Sequence, residues 1–172
     1  MTEPFDPNAL SDAEQEVLDR LAPEFFKALA LREAGHVDRA EELLLEILKV
    51  EPRLPEPRME LARILLDTDR LADAEPHARD ALAQLQAGGQ WTDDLPENVV
   101  TSMAHALLAE ILRRRVEDDD VVFGDPETFR ALVAEAKAHF QAAATLDPTD
   151  ATASYYALFL GPQGRETPEA DA

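Results

Sequence analysis

Three stretches of the chain carry the same spacing of small and apolar residues, and this internal repeat constrains the fold more than any other feature. When Ala40, Ala74 and Ala136 are superposed, apolar residues lie three positions before each alanine and four and seven positions after it. These intervals place one stripe of side chains on one face of a helix. The matching residues are Val37, Leu71 and Val133 before the alanines, and Leu44, Ala78, Phe140, Ile47, Ala81 and Ala143 after them.

A second motif precedes the later two copies. The segments "LARIL" at 61–65 and "LAEIL" at 108–112 each contain a Leu-Ala pair followed by a leucine at helical spacing. Alanine, leucine, glutamate and arginine dominate the chain and favour helices, whereas aromatic residues make up only 6% of it. The pattern therefore predicts an all-α fold.

The distance from Ala40 to Ala74 is 34 residues, and with this placement of small residues it resembles the tetratricopeptide repeat. The resemblance covers about residues 22–148. It implies an α-solenoid of antiparallel helix pairs, wound as a right-handed superhelix with a concave side. The resemblance also implies the domain boundaries. We expect a flexible N-terminus over 1–10, one helical domain over 11–160 and a disordered tail over 161–172. Within the domain, the repeats are expected at about 21–54, 55–88 and 96–150, followed by a capping helix at 149–160.

The third copy is interrupted twice. Ala74 and Ala136 are 62 residues apart, and the twin leucine motifs divide the excess into 13 residues before the first helix of this repeat and 15 between its two helices. Both insertions are expected either to fold back and plug the solenoid edge or to flank a ligand or dock a partner. Their apolar residues are Trp91 and Leu95 in the first insertion and Val121, Val122 and Phe123 in the second.

The resemblance implies a partner-binding groove lined by the first helix of each repeat. Four arginines occur among its positions, and a planar guanidinium binds carboxylates in bidentate fashion. They either select a partner with acidic residues beside apolar anchors or balance neighbouring acids of the chain. The groove positions are Phe25, Leu29 and Arg32, then Met59, Arg63 and Leu66, then Met103, Ala106, Glu110, Arg113 and Arg114, and Tyr155 from the cap.

The overall charge and the lack of cysteine narrow the function further. A net charge of −20 argues against nucleic acid and anionic membranes as partners, and reflects either solubility in a saline environment or a basic partner. No cysteine is present, the four histidines form no ligand pair, and no catalytic motif occurs. We therefore expect a protein that is not an enzyme, that needs no metal or cofactor, and that is cytoplasmic, since neither a signal peptide nor a membrane span is evident.

Two functions remain open at this point. The first is an adaptor that binds a segment of a partner protein in the concave groove. The second is a structural or assembly subunit that contacts partners, or a second copy of itself, through Trp91 and Val121–Phe123 rather than through the groove. Fold alone does not decide between them.

Overall fold

The computed structural model describes residues 3–162, and this part of the chain is all-α, as the composition predicts. The expected tail at 161–172 lies outside the described residues except for Gly161 and Pro162. Within the described part the helices are α1 (Asp12–Glu33), α2 (Val37–Val50), α3 (Pro55–Asp67), α4 (Leu71–Gln86), α5 (Glu97–Arg115), α6 (Asp119–Val122), α7 (Pro126–Leu146) and α8 (Ala151–Phe159).

The helix ends are encoded locally. Ser11 and Glu14 form the reciprocal capping box that the sequence predicts at the start of α1. Asp125 caps α7 by accepting bonds from the backbone N–H groups of Glu127 and Thr128. Gly88, with φ of +84°, follows the end of α4 in the left-handed conformation that glycine adopts without steric cost. The sequence therefore sets these three helix boundaries through capping chemistry.

Pro23 lies inside a helix, although a proline within a helical pattern commonly marks a helix boundary. Helix α1 runs without interruption from Asp12 to Glu33 with Pro23 inside it. An internal proline costs a helix about 3 kcal/mol. Here the helix buries Leu18 on one side of the proline and Phe25 and Ala28 on the other, and burial of large apolar side chains at about 1.5–3 kcal/mol each offsets that cost.

Each long helix packs against the next along the chain. Helix α1 contacts α2, α2 contacts α3, α3 contacts α4, α4 contacts α5, α5 contacts α7 and α7 contacts α8; the short α6 packs on α7, and α3 also contacts α5. Small side chains allow the backbones to approach closely at these contacts. The fully buried alanines are Ala40, Ala62, Ala74, Ala81, Ala109, Ala136, Ala143 and Ala153.

The segment before α1 is tied to the end of α4. Phe5 is 1% exposed, its backbone N–H donates to Gln84 Oε1 at 2.9 Å, and the Arg53 guanidinium lies 5.7 Å from its ring centroid. A Cβ on Gly89 would lie 2.8 Å from the Phe5 carbonyl oxygen, so glycine is required at this close approach. The prediction of a flexible N-terminus over 1–10 does not include a buried aromatic ring at this position.

The two insertions take different forms. Residues 87–96 form the connection between α4 and α5, and the second insertion begins after Arg115 and contains the single turn α6. The interruption expected near Val116 is thus present. None of the helices within residues 3–162 combines the length and hydrophobicity needed to span a bilayer.

Candidate functional site

A cleft of about 240 Å³ lies where α1, α3 and α5 come together, and we call it the α1–α3–α5 cleft. Its apolar lining is contributed by all three helices and by the 87–96 connection. Its polar lining is largely acidic. The apolar residues are Phe25, Phe26, Leu29, Met59, Leu95, Val100 and Met103; the polar ones are Arg32, Glu33, Glu56, Glu60, Thr92 and Asp94.

The 87–96 connection is held as a wall of this cleft by a buried carboxylate. Oε1 of Glu56 accepts the backbone N–H groups of Trp91 at 2.9 Å and Thr92 at 3.0 Å. The Trp91 ring packs on the Phe25 ring, with 5.5 Å between centroids. Polar anchoring and ring packing together fix the loop, so that Leu95 is presented at the edge of the cleft.

Five of the twelve groove positions taken from the sequence are brought together here. Phe25, Leu29 and Arg32 come from α1, Met59 from α3 and Met103 from α5. The structure therefore joins residues that lie up to 78 positions apart in the chain. The other positions, which do not line the cleft, are Arg63, Leu66, Ala106, Glu110, Arg113, Arg114 and Tyr155.

All four groove arginines are paired with carboxylates of the chain itself. The Nε atoms of Arg32 and Arg63 lie 3.0 and 3.6 Å from the carboxylate of Glu60. These contacts favour the interpretation that the arginines balance neighbouring acids. The remaining pairs are Arg113 with Glu110 at 2.7 Å and Arg114 with Asp69 at 2.6 Å.

The cleft is instead acidic. Among the described residues that line it, four are carboxylates and one, Arg32, is a cation. Arg32 is already engaged by Glu60, whereas Glu33 and Asp94 are exposed and form no ion pair within residues 3–162. An acidic rim around an apolar floor attracts a positively charged group.

Glu56 is the most unusual acid of the cleft. It is 7% exposed, and its Oε2 atom has no hydrogen-bond partner among the described residues. Burial raises the pKa of this carboxyl above its ordinary value, while the bonds from Thr92 and Trp91 oppose the shift. A buried carboxylate with one free oxygen is costly unless a donor reaches it.

Several cleft residues carry no signal in the repeat pattern. Glu33, Glu56 and Glu60 read as ordinary acids on solvated helix faces, and Glu56 also suits a helix first turn. Phe26 falls next to a groove position rather than on one. Leu95 differs from these residues because the sequence marks it as an apolar residue of the first insertion.

The second insertion lies away from the α1–α3–α5 cleft. Val121 is buried, whereas Val122 is 49% and Phe123 84% exposed. Arg115, on the last turn of α5, bonds Glu75 of α4 and lies 3.9 Å from Asp118. This insertion therefore has two buried valines, Val116 and Val121, and two exposed apolar side chains.

A pair of histidines is enclosed between α5 and α7. His105 is 8% exposed, and its Nδ1 lies 2.9 Å from Nδ1 of His139. Burial lowers the pKa of His105 to about 4, and the neighbouring His139 lowers it as well. Burial also lowers the pKa of His139, although Glu135 opposes that shift. One ring must donate to the other when both are neutral, so the pair joins two helices.

A second depression, of about 430 Å³, lies on a different face and is lined by residues of α2, α3 and α4. Its lining includes Leu45, Arg58 and His77 and mixes both signs of charge. None of the groove positions taken from the sequence lies in it.

Comparison with known proteins adds no relative. No protein-family model matches the chain, and no curated protein matches it. Among residues 3–162, no group of three or more His, Asp or Glu side chains is arranged to hold a metal ion.

Proposed function

We propose that this protein is a tetratricopeptide-type adaptor that is not an enzyme and that binds a segment of a partner protein in the α1–α3–α5 cleft. The observation that carries the proposal is the convergence of five groove positions from three helices on one apolar cleft. In a right-handed solenoid of helix pairs, α1, α3 and α5 would be the first helices of successive repeats and would line the concave side.

The size of the cleft supports a polypeptide ligand. Its volume of about 240 Å³ is below the roughly 300–1,000 Å³ of pockets for drug-sized molecules. A cleft of this size suits one or two side chains of a longer segment, with the remaining contacts spread over the rim. Phe26 and Leu95 are 46% and 43% exposed on that rim and are free to contact such a segment.

The test begins with a library of random short peptides displayed on phage and selected on the wild-type chain. Trp91 is the only tryptophan of the chain and packs on Phe25, so its fluorescence reports binding of the synthetic peptides at the cleft. Replacing Phe26 and Leu95 by serine is expected to weaken binding at least about tenfold, because a few side chains that become buried on binding carry most of the binding energy of such interfaces.

A matched variant controls for nonspecific effects. Leu45 and Val50 are 41% and 58% exposed on α2 and do not line the cleft, so replacing both by serine is expected to leave peptide affinity unchanged. If both double variants weaken binding equally, or if no selected peptide depends on Phe26 and Leu95, the cleft is not the binding site.

The exposed Phe123 favours a second candidate function, assembly through the second insertion. Side chains this apolar and this exposed mark contact surfaces when they cluster, and Val122 lies beside it. If this candidate holds, the wild-type chain self-associates with rising concentration and the Val122→Ser/Phe123→Ser variant does not. Light scattering measures this, with Leu158→Ser, a change of another exposed apolar residue, as the control. A wild-type chain that stays monomeric throughout would exclude self-assembly.

A further inference from the structure

We propose that the partner segment is basic: a large apolar side chain enters the α1–α3–α5 cleft, and flanking lysine or arginine side chains bind the exposed carboxylates of Glu33 and Asp94 beside the buried Glu56. This inference rests on the proposed function and adds the chemistry of the partner. It reverses the acidic partner that the groove arginines suggest when the sequence is considered alone.

The arginines that suggested an acidic partner are already occupied. Arg32 and Arg63 share Glu60, whose side chain is only 14% exposed between them. Glu60 already neutralises part of the charge of both arginines, which weakens their attraction for an acidic partner. Glu60 is therefore the acid of the cleft that we leave out of the proposed contacts.

Three carboxylates of the cleft remain without a cation. Glu33 lies at the end of α1 and Asp94 on the 87–96 connection, and neither forms an ion pair within the described residues. Both are exposed and both line the same cleft. Two unpaired acids that face one apolar floor from two different elements form a site for a cation attached to an apolar segment.

The third carboxylate provides an independent observation. Glu56 is more than nine-tenths buried, lines the cleft, and has one oxygen without a hydrogen-bond partner among residues 3–162. Its other oxygen already holds the loop through Trp91 and Thr92. Because Oε2 is enclosed, a cation in the cleft would act on Glu56 through its charge rather than through a direct bond. The net charge of −20 favours the approach of the same kind of partner.

The peptides selected on the wild-type chain test the inference. We expect those that lose affinity on the Phe26→Ser/Leu95→Ser change to be enriched in lysine and arginine next to a large apolar residue. The Glu33→Gln/Asp94→Asn variant is then expected to bind them about fivefold to tenfold more weakly. The effect should shrink at high salt because exposed charges are screened.

The controls separate this inference from the proposed function. The Glu42→Gln/Asp93→Asn variant removes two exposed acids that do not line the cleft, and it should bind as the wild type does. Peptides with glutamine in place of each basic residue should no longer distinguish the two double variants. The basic partner would be overturned if the peptides that depend on the cleft had no basic residues, or if the Glu33→Gln/Asp94→Asn and Glu42→Gln/Asp93→Asn variants lost the same affinity. Neither result would contradict the cleft as the binding site. An absence of any cleft-dependent peptide would overturn both.

Discussion

Replacing Phe5 by alanine is expected to lower the free energy of unfolding by about 3–5 kcal/mol, as for other buried aromatic residues. The ring is 1% exposed, and the Arg53 guanidinium lies over it. The alanine would leave a cavity that Gln84 and Gly89 cannot fill, because both approach the residue through fixed backbone and amide contacts. Since a domain is typically stable by about 5–15 kcal/mol, this one change removes a large share.

Urea unfolding followed by circular dichroism measures the effect of the Phe5 change. The exposed Glu3 provides the control, and Glu3→Ala is expected to shift the free energy of unfolding by no more than about 0.5 kcal/mol. A loss below about 1 kcal/mol for Phe5→Ala would mean that the N-terminal segment does not dock on α4 in solution.

Acid is expected to destabilise the fold through the histidine pair by at most about 3 kcal/mol. The pKa of His105 falls from an ordinary value of 6.5 to about 4 in the folded chain. The unfolded chain therefore binds more protons between these two values. Stability is fully present above about pH 6.5 and is lost as the pH falls toward 4.

Other titratable groups also change the stability in acid: burial lowers the pKa of His77, which titrates in the same range, and several carboxyl groups titrate just below it. Glu51 and Glu135 have pKa values held below the ordinary one by arginine partners, so their contribution is lost only below about pH 4.5. Glu56, with a raised pKa, contributes in the opposite direction. When the loss of stability in acid is compared between the wild type and a single histidine variant, the contributions of these other groups cancel.

The variant that tests this is His105→Asn, because asparagine offers His139 a polar partner but does not titrate. Urea unfolding at about pH 7.5 and about pH 4.5 is expected to show a smaller loss of stability for this variant than for the wild type. His36→Asn, at an exposed position, should lose as much stability between these two pH values as the wild type does. Equal losses in all three chains would show that His105 is not enclosed as described.

The sequence predicts helices well here because capping and spacing are local properties. Ser11 with Glu14, Asp125 and Gly88 each act within a few residues of a helix end. The groove positions on α1, α3 and α5 follow from the resemblance to the tetratricopeptide repeat, and five of them meet in the cleft. The interruption after Arg115 is also visible, because the repeat period fails there.

The features that sequence reasoning missed depend on contacts between distant segments. Phe5 has no periodic neighbours, so nothing local predicts that it packs near Gln84. Glu56 is read as a solvated acid until the 87–96 connection folds over it. The charge of the cleft also depends on such contacts, because counting arginines along one helix face omits the acids that pair with them.

The central claim, that the α1–α3–α5 cleft binds the partner segment, is tested most directly through the methionine methyl groups. The chain has three methionines, and two of them, Met59 and Met103, line the cleft from α3 and α5. In a chain labelled with ¹³C at the methionine methyls, Met59→Leu and Met103→Leu assign the signals. Adding a selected peptide should shift both cleft signals in proportion to saturation. A peptide that binds while both signals stay unmoved would contradict the account.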